Sequence, residues 1–181
     1  MPNYITTYTG IHFYPTEPKS EDLDIRDIAH ALSLLCRGNG HVKYFLSVGQ
    51  HCIRCAREAS ARGYGDRIAL ICLLHDASEA YMSDVPRPTK REIPVYTEWE
   101  EHLLAIIYEK YLGGQPTEEE AHIMKQIDDD VLYYDLLELL SEPSDRPAPQ
   151  MLEAFDYTSF RPFHEVEEEY LQLFESYRIR L

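Results

Sequence analysis

Apolar residues along this chain recur mostly every three to four positions, the period of helices that bury one face. Ile25, Ile28, Ala29, Leu32 and Leu35 form the first such stripe, with Asp24 placed to cap the helix start and Gly38 beyond its end. A second helix is predicted from near Ser47, where Ser47-x-x-Gln50 fits a capping box, up to Gly63. It turns Val48, His51, Cys52, Cys55, Ala56 and Ala59 inward. A third opens around Asp66 and continues through residues 68–74 into 75–81. Being apolar on nearly every side, it is the central, buried helix. Pro86 and Pro88 then break the chain, so that residues 83–94 form a loop over one end of that helix.

A fourth helix covers about 97–112 and stops at Gly113-Gly114. Thr117 caps a fifth, whose early acids Glu118, Glu119 and Glu120 suit the helix dipole and whose stripe runs Ile123, Ile127, Val131, Tyr134 and Leu137. The proline-rich stretch 141–149 reads as a loop or lid. The last helix, about 162–178, packs through Phe163, Val166, Tyr170, Phe174 and Tyr177. Ahead of all these, residues 4–14 are rich in β-branched and aromatic types around Gly10, which predicts a short hairpin or extended arm. No internal repeat or domain-scale linker interrupts the pattern. The expected fold is all-α: a single domain over 1–181, built as one orthogonal helical bundle.

Composition narrows the function. A chain of 181 residues can bury a core without staples. No apolar run reaches the roughly 18–20 residues of a membrane span, and the start Met1-Pro2-Asn3-Tyr4 has no features of a secretory signal. A cytoplasmic protein is expected. The net charge of −15, with no stretch dense in Lys and Arg, argues against a nucleic-acid polymer as partner. It leaves room for a small phosphorylated substrate, because a bound metal reverses the field locally. Cys52 and Cys55 form a C-x-x-C, but no further pair at zinc-site spacing accompanies them, so the four cysteines are read as reduced, packing as small hydrophobes.

Three ligand-capable positions stand out. His51 lies on the inward face of the second helix, His75-Asp76 follows an apolar run, and Asp128 opens Asp128-Asp129-Asp130 right after the stripe residue Ile127. Buried imidazoles and carboxylates are costly unless neutralised. Two of each would leave a charge of about −2, which a divalent cation cancels; mixed N/O ligation suits Mn, Co, Zn, Fe or Ni, with Mg the further candidate. No organic cofactor is expected. Asp129 and Asp130 compete for Asp128's role, and the spacing after Lys125-Gln126 favours Asp128.

The strings Ser47-Val48-Gly49-Gln50-His51, Leu73-Leu74-His75-Asp76-Ala77-Ser78-Glu79-Ala80-Tyr81 and Lys125-Gln126-Ile127-Asp128 resemble the successive signatures of the HD-domain metal-dependent phosphohydrolases. The resemblance spans about residues 24–140 and is greatest to the small 5′-deoxynucleotidase branch and its phage dATP-hydrolase relatives. It implies His51, His75, Asp76 and Asp128 as metal ligands. It also implies Arg37 on the substrate phosphate, with Glu79 and Asp84 beside the attacking water. The residues agree with that carry-over. Glu79 follows His75 by four positions, on one helical face. Arg37 offers a planar fork to phosphate oxygens and Lys90 a point charge, and His41 is a further candidate for the pocket.

The expected activity is hydrolysis of a deoxynucleoside 5′-monophosphate to deoxynucleoside and phosphate, by a homo-oligomer, dimeric or higher. Two alternatives remain open. One is a triphosphohydrolase drawing on the basic loop 87–91, and the other is a catalytically silent module that binds nucleotides or protein partners.

Overall fold

The computed structural model describes residues 3–180. Met1, Pro2 and Leu181, which bound the expected single domain and include the start of the segment tested for a signal, lie outside it. A two-stranded antiparallel hairpin, β1 (Ile5–Thr6) and β2 (His12–Phe13), is followed by helices α1 (Ile25–Leu34), α2 (Val48–Ala61), α3 (Asp66–Leu74), α4 (Glu79–Met82), α5 (Arg87–Arg91), α6 (Pro94–Leu112), α7 (Glu118–Leu140) and α8 (Phe163–Ile179). The protein is thus an all-α bundle with a short N-terminal hairpin, as its periodicity predicts.

Local chemistry sets the helix starts. Asp24 caps α1 by accepting from the backbone N–H of Arg26, and Ser47 and Thr117 open α2 and α7 with complete capping boxes to Gln50 and Glu120. Pro94 at the first position of α6 starts that helix three residues ahead of the expected Thr97, because proline's fixed φ suits the first turn.

The centre of the bundle is α3, where every residue from Ile68 to Leu74 is buried. It packs against α2, α6, α7 and α8, and α1 lies across α2 and α8. Burying each such Leu or Ile contributes about 1.5–3 kcal/mol. At Gly49 the chains come so close that an added Cβ would sit 3.2 Å from the Leu32 backbone; glycine lets α2 approach α1 there, two residues before His51.

Three expectations need correction. The third helix is not continuous to Tyr81: it ends at Leu74, and residues 75–78 form a turn before α4. The N–H groups of Ala77 and Glu79 donate three residues back, to Leu74 and Asp76, which tightens the chain in the manner of a 3₁₀ turn. The stripe of α7 also drifts. Beyond Val131 its buried positions are Asp135 and Leu139, while Leu137 is exposed. Phe163, expected in the core, is exposed as well.

Residues 141–162 form no helix and are tied down along the outside of α2 and α7. Glu58 of α2, fully buried, accepts from the backbone N–H groups of Leu152 and Glu153, and Tyr134 donates to the Pro149 carbonyl. Among the described residues no helix is long and apolar enough to cross a membrane.

Candidate metal centre

Ending α3 at Leu74 strands its last carbonyls. Two side chains take them up. The Tyr170 hydroxyl of α8 donates to the Leu73 carbonyl at 2.7 Å, and His75 Nδ1 lies 2.7 Å from the Cys72 carbonyl. Only an N–H can satisfy a carbonyl, so Nδ1 carries the proton and Nε2 is left with its lone pair. Nε2 is buried and has no hydrogen-bond partner.

His51, fully buried on α2, reaches the same point from the other side. Its Nδ1 donates to Asp135 Oδ2 at 3.1 Å, which again frees Nε2. That Nε2 lies 3.2 Å from Asp128 Oδ1 and 3.8 Å from Asp76 Oδ2; His75 Nε2 lies 3.2 Å from Asp76 Oδ2 and 3.7 Å from Asp128 Oδ1. Two imidazole lone pairs facing two carboxylates repel unless a cation or a proton stands between them. The donor set fits a divalent transition metal.

The electrostatics say the same. Burial would push the His75 imidazole down, but Asp76 and Asp128 reverse this and hold it well above its ordinary value. Burial would raise Asp76 and Asp128, yet the two histidines hold both far below the usual carboxylate range. The Asp135 carboxyl is likewise lowered against its burial, by the His51 hydrogen bond and the Arg37 and Arg54 guanidiniums. This is a cluster that favours positive charge.

The acidic triplet resolves by direction. Asp128 turns toward the histidines, Asp129 toward Lys125 and Arg87, and Asp130 toward Arg62 at 3.0 Å.

A cavity of about 490 Å³ opens onto this point, within the range of small-molecule sites. Its lining carries the charged Asp76, Asp128, Arg37, Glu79, Asp84 and Lys90 together with the apolar Val42, Leu132, Leu136 and Leu139. Arg37 sits in a 3₁₀ turn whose left-handed Gly38-Asn39-Gly40 run folds the chain back, and its N–H donates to Leu46 O at 2.9 Å. Its guanidinium lies 3.6 Å from Asp76 and 3.5 Å from Asp135. Burial would lower its pKa, but Asp135, Asp76, Asp84 and Asp128 raise it above the ordinary value, so it is a permanent cation.

Glu79 is not carried by the same helix as His75, yet it faces the cavity from the start of α4. Burial and the nearby Asp76 and Asp84 push its carboxyl well up, with Lys90 and Arg37 pulling the other way, and Oε2 is buried without a partner. Lys90 lies 3.6 Å from Glu79 and 2.6 Å from Glu100. His41 departs from the expectation. It is exposed at the end of the 3₁₀ turn and does not line the cavity, because the left-handed run points it outward.

Three residues escape the sequence reading. Asp135 orients His51, accepts from Arg54 at 3.1 Å, and accepts from the Tyr157 hydroxyl at 2.8 Å. Its signal was available: it lies seven residues after Asp128, two turns along the same face of α7. Arg54, three residues after His51, carries the same kind of signal on α2. Tyr157 carries none, since it comes from an irregular segment.

No family model matches the chain. It is similar to the uncharacterised protein YfdR of Escherichia coli K12, 41% identical over 109 residues, covering 60% of this chain and 58% of that one. It is also similar to an uncharacterised protein of Rhodobacter capsulatus, 36% identical over 101 residues, covering 52% and 51%. A more distant similarity, 27% over 137 residues and covering 66% and 60%, is to a 5′-deoxynucleotidase of Vibrio vulnificus. The chain therefore spans less than two thirds of the length of these relatives.

Proposed function

We propose that this protein is a divalent-metal phosphohydrolase of nucleotides, of the HD type, that converts deoxynucleoside 5′-monophosphates to deoxynucleoside and phosphate. The observation that carries the reading is the convergence of two Nε2 lone pairs and two carboxylates beside a cavity lined by both charged and apolar side chains. The 5′-deoxynucleotidase of Vibrio vulnificus supports it from the side of sequence.

His51, His75, Asp76 and Asp128 hold the ion. A divalent cation there supplies the Lewis acidity that phosphate-ester hydrolysis needs at neutral pH. The protein's own groups do the rest. Hydrolysis adds water across the phosphorus–O5′ bond, so one proton leaves the water and one reaches the departing oxygen. Asp84 accepts the first. Glu79, its carboxyl pushed up by burial and by Asp76 and Asp84, supplies the second. Arg37 grips the phosphate oxygens as a fixed fork.

The apolar wall of Val42, Leu132, Leu136 and Leu139 takes the nucleoside. It offers little to pair a ribose 2′-hydroxyl, and burying an unpaired hydroxyl costs about 1–3 kcal/mol, which favours the deoxy sugar. The charge count favours a monophosphate. The cavity is lined by three cations (Arg37, Arg87, Lys90) and six carboxylates (Asp76, Glu79, Asp84, Asp128, Asp135, Glu142). Arg87 and Lys90 are already paired with acids, leaving little to neutralise a triphosphate chain. One bundle-sized domain, a cytoplasmic setting and a homo-oligomeric state complete the reading.

The test is a screen of ribo- and deoxynucleoside mono- and triphosphates with Mn, Co, Mg and Zn, reading phosphate and tripolyphosphate separately. Phosphate from deoxynucleoside monophosphates is expected. Tripolyphosphate would move the assignment to the triphosphohydrolase, and metal binding without hydrolysis of any nucleotide would leave the silent module.

A further inference from the structure

We propose that the Cys55 thiol is a further ligand of this metal centre, joining His51, His75, Asp76 and Asp128 in an N2O2S set that selects a thiophilic ion of the zinc and cobalt class. The proposal rests on the metal-centre reading above and adds a ligand to it.

Cys55 lies one turn after His51 on the same face of α2, buried to 1% exposure. Its Sγ is 3.7 Å from His51 Nε2, the nitrogen that looks into the site. One ligand atom from each of His51, Cys55, His75 and Asp128 falls within 4.8 Å of all the others. A cysteine packing as a small hydrophobe needs only carbon neighbours. This sulfur faces an imidazole nitrogen and shares its cluster with a carboxylate and the unpartnered Nε2 of His75.

The distances suit neighbouring ligands of one ion. Zn–S near 2.3 Å and Zn–N near 2.0–2.1 Å give an S···N edge of about 3.6 Å and N···N or N···O edges of about 3.3 Å. The Cys55–His51 separation of 3.7 Å and the His51–Asp128 separation of 3.2 Å are close to those edges before any ion draws the ligands in.

Position decides what the thiol does to the reaction site. Asp76 and Asp128 line the cavity, whereas Cys55 does not. The sulfur therefore closes the centre from its buried back, and the cavity face, with Asp76 beside Arg37, stays open to substrate. Ligation forms a metal–sulfur bond and sends the thiol proton to solvent. A soft thiolate favours zinc or cobalt over manganese or magnesium, which an all-N/O set discriminates far less. Cys52 is the built-in control. It is buried on the same helix and grouped with His75 and Asp76 but not with His51.

The experiment titrates chelator-stripped protein with cobalt(II) and reads the thiolate-to-cobalt charge-transfer band in the near ultraviolet. Wild type should show the band, as should Cys52→Ser. Cys55→Ser and Cys55→Ala should bind cobalt without it, and their zinc-over-manganese preference should fall by at least about tenfold, the scale on which a lost metal partner acts. The wild-type measurement stands even if both Cys55 variants misfold. Cobalt bound by wild type without the band overturns the thiolate ligand and leaves the metal centre intact. A band that survives Cys55→Ser and vanishes in Cys52→Ser also overturns it. No cobalt binding at all overturns the thiolate and the metal centre together.

Discussion

His51 and His75 converge on one point, but they are held there by opposite means. His75 is held locally. Its Nδ1–H satisfies the Cys72 carbonyl three residues back, a carbonyl stranded because α3 stops at Leu74. His51 is held from a distance of 84 residues, by Asp135 on α7, which also takes Arg54 and the Tyr157 hydroxyl and lies near Arg37. Both devices fix the same tautomer. One needs only a helix end; the other needs α2, α7 and an irregular segment to meet around a buried carboxylate. A local anchor fails only if its helix fails, whereas a distributed one can be weakened piece by piece.

The harshest break removes a ligand from either side. His75→Ala and His51→Ala should both lose the metal and all turnover, because a transition ion is held poorly by the remaining ligands. Elemental analysis showing full metal content in both would sink the assignment. Next in size is Glu79→Ala, which touches neither anchor. It should keep the metal and cost about 10²–10⁴ in kcat, the usual contribution of a positioned acid or base. A kcat within error of wild type would return Glu79 to a simple partner of Lys90.

Asp135→Asn probes the distributed anchor with little change of shape. The amide can donate to Nδ1, which shifts the proton of His51 to Nε2 and turns that nitrogen away from metal binding. Metal affinity should fall by about 10–100-fold, measured by competition with a chelating dye. Equal affinity in mutant and wild type would mean that Asp135 does not set the tautomer. Tyr157→Phe is the mildest cut and should cost about 0.5–1.5 kcal/mol of stability, the net value of one hydrogen bond. A fall in metal affinity as large as that from Asp135→Asn would show the segment around Tyr157 to be part of the site.

The local anchor predicts a pH dependence. The His75 imidazole is held above its ordinary value by Asp76 and Asp128, so in the metal-free protein this pair stabilises the fold fully below the unfolded value of 6.5. That contribution is lost as pH rises through the higher folded value. Metal must displace the same proton, so apparent affinity should climb by up to about tenfold per pH unit over that window and then level. An affinity flat across it would show that His75 is neutral before the metal arrives.

Much of this was legible in the sequence, for reasons that differ residue by residue. His75 and Asp76 follow an apolar run, and a polar pair there stands out on any helical reading. The spacing after Lys125-Gln126 favoured Asp128 over its acidic neighbours, and only the side-chain directions set it apart. Asp135 was readable in principle, seven residues after Asp128, but the expected stripe ran through Tyr134 and Leu137 and hid it. His41 looked eligible by position, and only the left-handed Gly38-Asn39-Gly40 turn sends it to solvent. The C-x-x-C read as packing; Cys55 meets His51 within α2, while its neighbourhood to His75 and Asp128 is a fact of how α2 meets α3 and α7.

The sequence by itself determined the helices, their caps, the buried character of α3 and the candidate ligands, because periodicity and capping are local properties of adjacent residues. Only the tertiary structure decided where α3 breaks, which nitrogen of each histidine is free, and that Arg37, Asp135 and Cys55 surround them. Those are outcomes of packing between segments far apart in the chain, where a stranded carbonyl or a buried charge must find its partner in space.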